Sequence, residues 1–105
     1  MRFLDICRNP SYSPDNKTPY LLVIQGDYVD VWSTRVVVPL MNTEAVSPTI
    51  KGGLMPEFMV EGNHVVMVTP ELAGISITDV GAVVANAVER HHEVRRAIDI
   101  LTGDF

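Results

Sequence analysis

Two apolar stretches, Tyr20–Ile24 and Arg35–Leu40, constrain the fold most strongly because nearly every residue in them is hydrophobic. Both are short and contain β-branched side chains, which is typical of strands and not of helices. Since a strand with apolar side chains on both faces must be covered on both sides, we expect these two to be central in a sheet. The polar segment Gln25-Gly26-Asp27 between them is typical of a turn.

Four more segments are predicted to be strands of the same sheet. They are Phe3–Cys7, Glu57–Val60, His64–Thr69 and Ile75–Thr78. The last of them is expected to be half buried and to be the final strand. The second and third form a hairpin through Glu61-Gly62-Asn63. We expect Gly62 or Asn63 to take a positive φ there, because both residues tolerate the left-handed conformation.

The end of the chain changes to a helical period. Residues of one stripe recur every three or four positions: Val84, Ala87, His91, Val94, Ile98 and Leu101. Asp79 or Asn86 is expected to cap the start of this helix, and Gly103 to end it. Several strands followed by one long C-terminal helix predict a mainly β fold, with a small curved antiparallel sheet. The length of 105 residues favours one domain, 1–105.

Charge and composition narrow the function. The net charge of −5 argues against unaided binding to a nucleic-acid backbone, which needs a basic face. An acidic chain more readily meets a basic protein or an apolar surface. No apolar run reaches the ~20 residues of a membrane span, and the first residues do not have the pattern of a signal peptide, so we expect a cytoplasmic protein. The single cysteine, Cys7, is expected to be a buried small hydrophobe.

The titratable side chains do not form a recognisable catalytic or metal-binding pattern. His64 is expected to be exposed, and His91 and His92 point about 100° apart on a helix, so they cannot bind one metal together. Arg35 is expected to form a structural ion pair with Asp27 or Asp30. Glu93 and Arg96 are spaced for a weak pair on the outer face of the helix. We expect no cofactor.

Several motifs occur in an order that resembles one known family. The motifs are Gln25-Gly26-Asp27, Asp30, Thr34–Leu40, Met67–Ile77, Val80-Gly81, Val84-Ala85, Arg90 and Ala97–Leu101. They resemble the CcdB family of plasmid-maintenance toxins, which poison DNA gyrase. The resemblance covers about residues 20–40 and 55–101, while the loops 8–18 and 42–54 do not match in detail.

The resemblance implies an SH3-like antiparallel barrel with a C-terminal helix, assembled as a homodimer. It implies a toxin that is not an enzyme, that binds the A subunit of gyrase and that traps the cleaved DNA complex. A disordered CcdA-like antitoxin would neutralise it, and DNA would be contacted only through the antitoxin, in a complex that represses its own promoter. The resemblance implies no cofactor and no membrane partner.

The resemblance also implies a gyrase-binding surface. It would comprise Tyr28, Val29, Asp99, Thr102, Gly103, Asp104 and Phe105. The family ends in Trp-Gly-Ile or a variant, and its best-known member has Asn at the position of Asp99. Here the chain lacks the large aromatic before the glycine and carries Asp104 after it. Two alternatives follow, a non-toxic homologue that keeps antitoxin binding and autoregulation and, less favoured, a MazF-like endoribonuclease.

Overall fold

The computed structural model of the protein describes residues 1–27, 33–46 and 53–103. The strands are β1 (Asp5–Arg8), β2 (Tyr20–Val23), β3 (Thr34–Asn42), β4 (Glu57–Val60), β5 (Asn63–Met67), β6 (Ala73–Ser76) and β7 (Val83–Asn86). The α-helix is α1 (His91–Thr102), and short 3-10 turns cover Thr43–Ala45, Thr69–Glu71, Ile77–Asp79 and Val88–Arg90. Among the described helices, none has the length and apolarity to cross a membrane.

The sheet is antiparallel and curls into a half-barrel. Its strand order is β4-β5-β3-β2-β1-β7, and β6 pairs with β3 outside this path. The nine-residue β3 changes partner along its length, because Thr34–Val37 pairs with β6 and Leu40–Asn42 pairs with β5. Together with the C-terminal helix, the curl confirms the predicted mainly β fold.

The central position of β2 is confirmed by its burial. All four of its residues are buried, and they alternate between two apolar clusters on opposite faces of the sheet. Leu22 belongs to the larger cluster, which Val94 and Ala97 of α1 cover. Val23 belongs to the smaller cluster, which is completed by Ile75 and others.

Of the two predicted starts of the helix, the earlier one is wrong, and Val84 is not helical. Val83–Asn86 is strand β7 and pairs with β1, so Ile75–Thr78 is not the final strand and Val84 packs on the core from the sheet. Helical structure begins with the 3-10 turn Val88–Arg90, and α1 follows at His91. The period misled because Val84 falls on the helical stripe, whereas the segment that contains it pairs with β1, which is distant in sequence.

Neither predicted cap residue caps α1. Asp79 ends a separate 3-10 turn. The Oδ1 atom of Asn86 accepts a 2.7 Å hydrogen bond from the Val88 N–H, so this side chain starts the 3-10 turn and not the α-helix. The predicted end is confirmed, since Gly103 takes the left-handed conformation that closes the helix.

The predicted hairpin is present and its turn is tighter than expected. Glu61 and Gly62 both have positive φ, 52° and 81°, as the two central residues of a type I′ turn require. The prediction for Gly62 is confirmed, but the second left-handed residue is Glu61 and not Asn63. Asn63 is instead the first residue of β5, paired with Val60.

Candidate functional site

The last turn of α1 is held by hydrogen bonds to its own carbonyl oxygens. The hydroxyl of Thr102 donates to the carbonyl oxygens of Ile98 and Asp99, at 3.0 and 3.3 Å. The N–H of Gly103, at φ 85°, donates to the carbonyls of Asp99 and Ile100. These bonds satisfy groups that a helix end otherwise leaves open, and they end α1 at Gly103.

The charge in this last turn is unusual. Cations are favoured near a helix C-terminus because the helix dipole is negative there. The last turn of α1 contains no basic residue and carries Asp99, whose side chain is half-buried. The helix dipole therefore does not favour a carboxylate at the position of Asp99.

The segment that leads to the other half of the predicted surface is Gln25-Gly26-Asp27, which we call the hinge. Side-chain hydrogen bonds anchor it to the rest of the fold. Oε1 of Gln25 accepts a 3.1 Å hydrogen bond from the Val36 N–H, and Oδ1 of Asp27 accepts a 2.8 Å bond from the Phe3 N–H. The residues that follow, Tyr28 and Val29, lie outside the described part of the chain, as do Asp104 and Phe105. Sequence reasoning missed this role for Asp27, because its partner is 24 residues away.

The predicted ion pair of Arg35 with Asp30 lies outside the described residues, and the described contact of Arg35 is with the backbone. Its Nη1 donates to the carbonyl oxygen of Thr34 at 2.7 Å. Asp27 has the Phe3 N–H as its partner, and Asp30 lies outside the described residues.

The structure places Asp27 and the described part of the predicted surface, Asp99, Thr102 and Gly103, toward opposite ends of α1. Asp27 lines a cavity of about 410 Å³ together with Asn86 and Val88, next to the start of the helical segment. Thr102 and Gly103 lie at the other end and are exposed. Since α1 has 12 residues, its axis is about 18 Å long.

A comparison with known protein families decides the identification. A family model described as CcdB protein matches residues 3–103. The chain belongs to the CcdB family. Proteins of this family are gyrase-poisoning toxins of toxin–antitoxin systems and not catalysts, and the family implies gyrase and CcdA as partners. The matched span includes Asp99, Thr102 and Gly103 and ends before Asp104.

A second cavity in this CcdB-family chain is polar. Its volume is about 480 Å³, and Arg8, Tyr12, Tyr20, Glu61 and Asn63 are among the residues that line it. The Tyr20 hydroxyl donates to Glu61 Oε1 at 2.7 Å and accepts from Asn63 Nδ2 at 3.1 Å. Arg8 Nη2 lies 2.8 Å from Glu61 Oε2. Burial, and then the hydrogen bond to Glu61, raise the pKa of Tyr20.

These contacts leave the cavity poorly suited to catalysis. Its charged groups, Arg8 and Glu61, already bind each other, and the Tyr20 phenol is held protonated. Among the described residues that line it, none is a histidine. General acid–base catalysis requires a group that can exchange protons near neutral pH.

The histidines and the cysteine do not lie in the last turn of α1. His64 is exposed on β5 as predicted, and the rings of His91 and His92 have centroids 3.9 Å apart. Within residues 1–27, 33–46 and 53–103, no group of three or more His, Cys, Asp or Glu side chains is placed to hold a metal. Cys7 is fully buried as predicted, and burial, followed by the charge of Asp5, raises the pKa of its thiol.

Glu93, which is also spaced for a weak pair with Arg96, is paired with Arg90 in the structure. Glu93 accepts two hydrogen bonds from Arg90, from Nε at 3.0 Å and from Nη2 at 2.5 Å. The guanidinium carbon of Arg90 also lies 4.0 Å from the centroid of the Phe58 ring on β4. Stacking on this ring holds the guanidinium of Arg90 where its Nε and Nη2 atoms both donate to the Glu93 carboxylate. The sequence spacing alone did not reveal this geometry.

Proposed function

We propose that this protein is the toxin of a type II toxin–antitoxin system, acting in the cytoplasm by binding the A subunit of DNA gyrase and trapping the cleaved DNA complex. The observation that carries the proposal is the family match, which extends over residues 3–103 and so includes the end of α1. The end of α1 supports it, because Thr102 and Gly103 are exposed and so accessible to a partner.

The proposed contact surface comprises Tyr28, Val29, Asp99, Thr102, Gly103, Asp104 and Phe105. In protein interfaces a few aromatic anchors carry much of the binding energy, ~2 kcal/mol or more each. Phe105 would supply the aromatic anchor that the family carries before its glycine, but from a different position, after Gly103 and Asp104. Asp104 adds a charge, which binds favourably only where gyrase supplies a donor or a cation.

The proposed partners follow the same family. The toxin forms a homodimer, and a CcdA-like antitoxin removes it from gyrase. DNA is contacted through the antitoxin, which agrees with the net charge of −5, because an acidic protein is repelled by the phosphate backbone.

A non-toxic homologue is the second candidate, and one observation favours it. The end Thr102-Gly103-Asp104-Phe105 differs from the Trp-Gly-Ile of the family, and the family match ends at Gly103. Such a protein would keep antitoxin binding and promoter regulation but would not act on gyrase. A MazF-like ribonuclease has no comparable support, since CcdB-family proteins are not catalysts.

The test is the inhibition of gyrase supercoiling by the purified protein, beside a variant that ends at Thr102. The proposal predicts inhibition by the full chain, loss of inhibition in the shortened chain, and circular dichroism spectra that match. If neither chain inhibits and both bind a CcdA-like antitoxin, the protein is the non-toxic homologue. If the pure protein cleaves a long RNA, the ribonuclease alternative is correct.

A further inference from the structure

The first residues of the chain form a tight turn with a strained backbone. The Asp5 N–H donates to the Arg2 carbonyl at 3.0 Å, and the Arg2 N–H donates to Asp5 Oδ2 at 2.6 Å. Leu4, inside this turn, has a φ of 65°, which is unfavourable for a leucine. Its side chain is fully buried in the core, and this burial compensates for the strain. We call residues 2–5 the N-terminal turn.

The N-terminal turn binds the hinge that leads to Tyr28 and Val29. The Phe3 N–H donates to Asp27 Oδ1 at 2.8 Å, and the Leu4 N–H donates to the carbonyl oxygen of Val23 at the end of β2. Asp27 directly precedes Tyr28 in the sequence. One side-chain hydrogen bond therefore joins the N-terminal turn to Asp27, the residue directly before the first half of the proposed gyrase surface.

The same turn binds the start of the helical segment through Asn86. The Asn86 amide nitrogen donates to the Phe3 carbonyl at 3.2 Å and to Asp5 Oδ1 at 3.0 Å, while its Oδ1 accepts from the Val88 N–H. The neighbouring Ala87 N–H donates to the Leu4 carbonyl at 2.9 Å. Asn86 thus uses both ends of its amide to hold the turn against the segment that becomes α1.

We propose that Asp27 and Asn86 are positioning residues for gyrase binding. Through the N-terminal turn they fix the hinge before Tyr28 relative to α1, whose far end carries Asp99. This inference rests on the gyrase-binding function proposed above. A surface made of two segments binds more tightly when both are held in the bound arrangement beforehand, because less freedom is lost on association.

The exposure of Asp27 argues for positioning and against a mainly structural role. Its side chain is exposed, so water can replace the Phe3 N–H as a partner, and the net contribution of the bond to folding is small. Loss of the bond releases the hinge without unfolding the core. The prediction is a change in gyrase affinity that unfolding measurements do not share.

The first test compares Asp27→Ala with Asp27→Asn, because asparagine keeps an oxygen that can accept from the Phe3 N–H. The dissociation constant for a gyrase A fragment should rise about tenfold in Asp27→Ala and change by less than about twofold in Asp27→Asn. Urea midpoints should be equal for both. Asp15→Ala, in an exposed loop, serves as the control. Equal affinity of Asp27→Ala and wild type would overturn the proposal.

Asn86→Ala extends the test to the second positioning residue. Since both residues act through the N-terminal turn, Asn86→Ala and Asp27→Ala should weaken binding less than additively when combined. Fully additive losses would contradict a shared route through the turn.

A second measurement does not depend on gyrase. Spin labels on Gly26→Cys and Arg95→Cys report the distance between the hinge and α1, with excess unlabelled protein added so that each assembly carries one labelled chain. A side chain at Gly26 meets no atom within 4 Å, Arg95 is exposed, and the fully buried Cys7 is shielded from labelling. The distance distribution should broaden in Asp27→Ala and stay narrow in Asp27→Asn.

The two readouts separate the possible failures. If the wild type does not bind gyrase but the distance distribution broadens in Asp27→Ala, the proposed gyrase-binding function is wrong, while Asp27 does fix the hinge relative to α1. If the wild type binds gyrase and Asp27→Ala leaves both affinity and distance distribution unchanged, Asp27 is not a positioning residue.

Discussion

Tyr20, the first residue of β2, donates a 2.7 Å hydrogen bond to Glu61, in the turn between β4 and β5. In the sheet order these two elements are separated by β3, so strand pairing does not bring them together. Arg8 of β1 holds the other carboxylate oxygen of Glu61 at 2.8 Å. The hairpin tip is therefore tied to β1 and β2 by side chains, and the curl of the half-barrel is what makes this possible.

Tyr20→Phe should destabilise the protein by about 1.5 kcal/mol, because the buried hydroxyl donates to a charged acceptor. The matched control is Tyr12→Phe, since Tyr12 is exposed and its hydroxyl can bond to water. Urea unfolding of both variants measures the difference. Equal stability of the two variants would show that the bond to Glu61 contributes nothing.

The same hydroxyl predicts an alkaline loss of stability. Burial and the bond to Glu61 raise the pKa of Tyr20 in the folded state above its ordinary value of 10.0. The resulting stabilisation is complete below pH 10 and is lost as the pH rises through the folded-state pKa. The free energy of unfolding, measured from neutral to alkaline pH, should fall more steeply in wild type than in Tyr20→Phe. Parallel curves would contradict the prediction.

Gly62→Ala should cost about 1 kcal/mol of stability, because the φ of 81° is unfavourable for any residue with a Cβ atom. Gly74→Ala is the matched control, since a Cβ there also meets no atom within 4 Å but the backbone is extended in β6. In thermal unfolding, the midpoint temperature should be lower than that of the wild type for Gly62→Ala and unchanged for Gly74→Ala. A similar loss in both would mean that the turn conformation is not the cause.

Asp99→Asn should increase stability by about 0.3–1 kcal/mol, because it removes a negative charge from the negative end of the α1 dipole. The gain should shrink in high salt, which screens this interaction. Asp15→Asn, outside any helix, controls for the change in net charge. A loss of stability would show that the Asp99 carboxylate has a favourable partner within the fold.

The sequence predicted features that depend on local rules. The burial of β2 follows from its uninterrupted apolar side chains, and the end of α1 follows from Gly103, because a left-handed residue favours glycine wherever the helix lies. The residues of the proposed gyrase-binding surface were inferred from the resemblance to a family. The structure describes three of them, Asp99, Thr102 and Gly103.

The features that sequence reasoning missed depend on contacts between distant segments. Val84 was predicted to be helical because it fits the period, while the strand β1 with which its segment pairs lies about 80 residues earlier. The partners of Asp27 and Tyr20 lie 24 and 41 residues away. The first contact depends on the pairing of β1 with β2 and the second on the curl of the sheet. A single sequence specifies neither, so neither contact could be predicted.

The most direct test of the account measures gyrase-mediated cleavage of supercoiled plasmid in the presence of the pure protein. After denaturation and protease treatment, trapped gyrase complexes appear as linear DNA. The account predicts linear DNA with the full chain and none with a chain that ends at Thr102, although both fold alike. Equal trapping by the shortened chain, or no trapping by a folded full chain, would contradict the claim that the end of α1 and the residues after it form the gyrase contact.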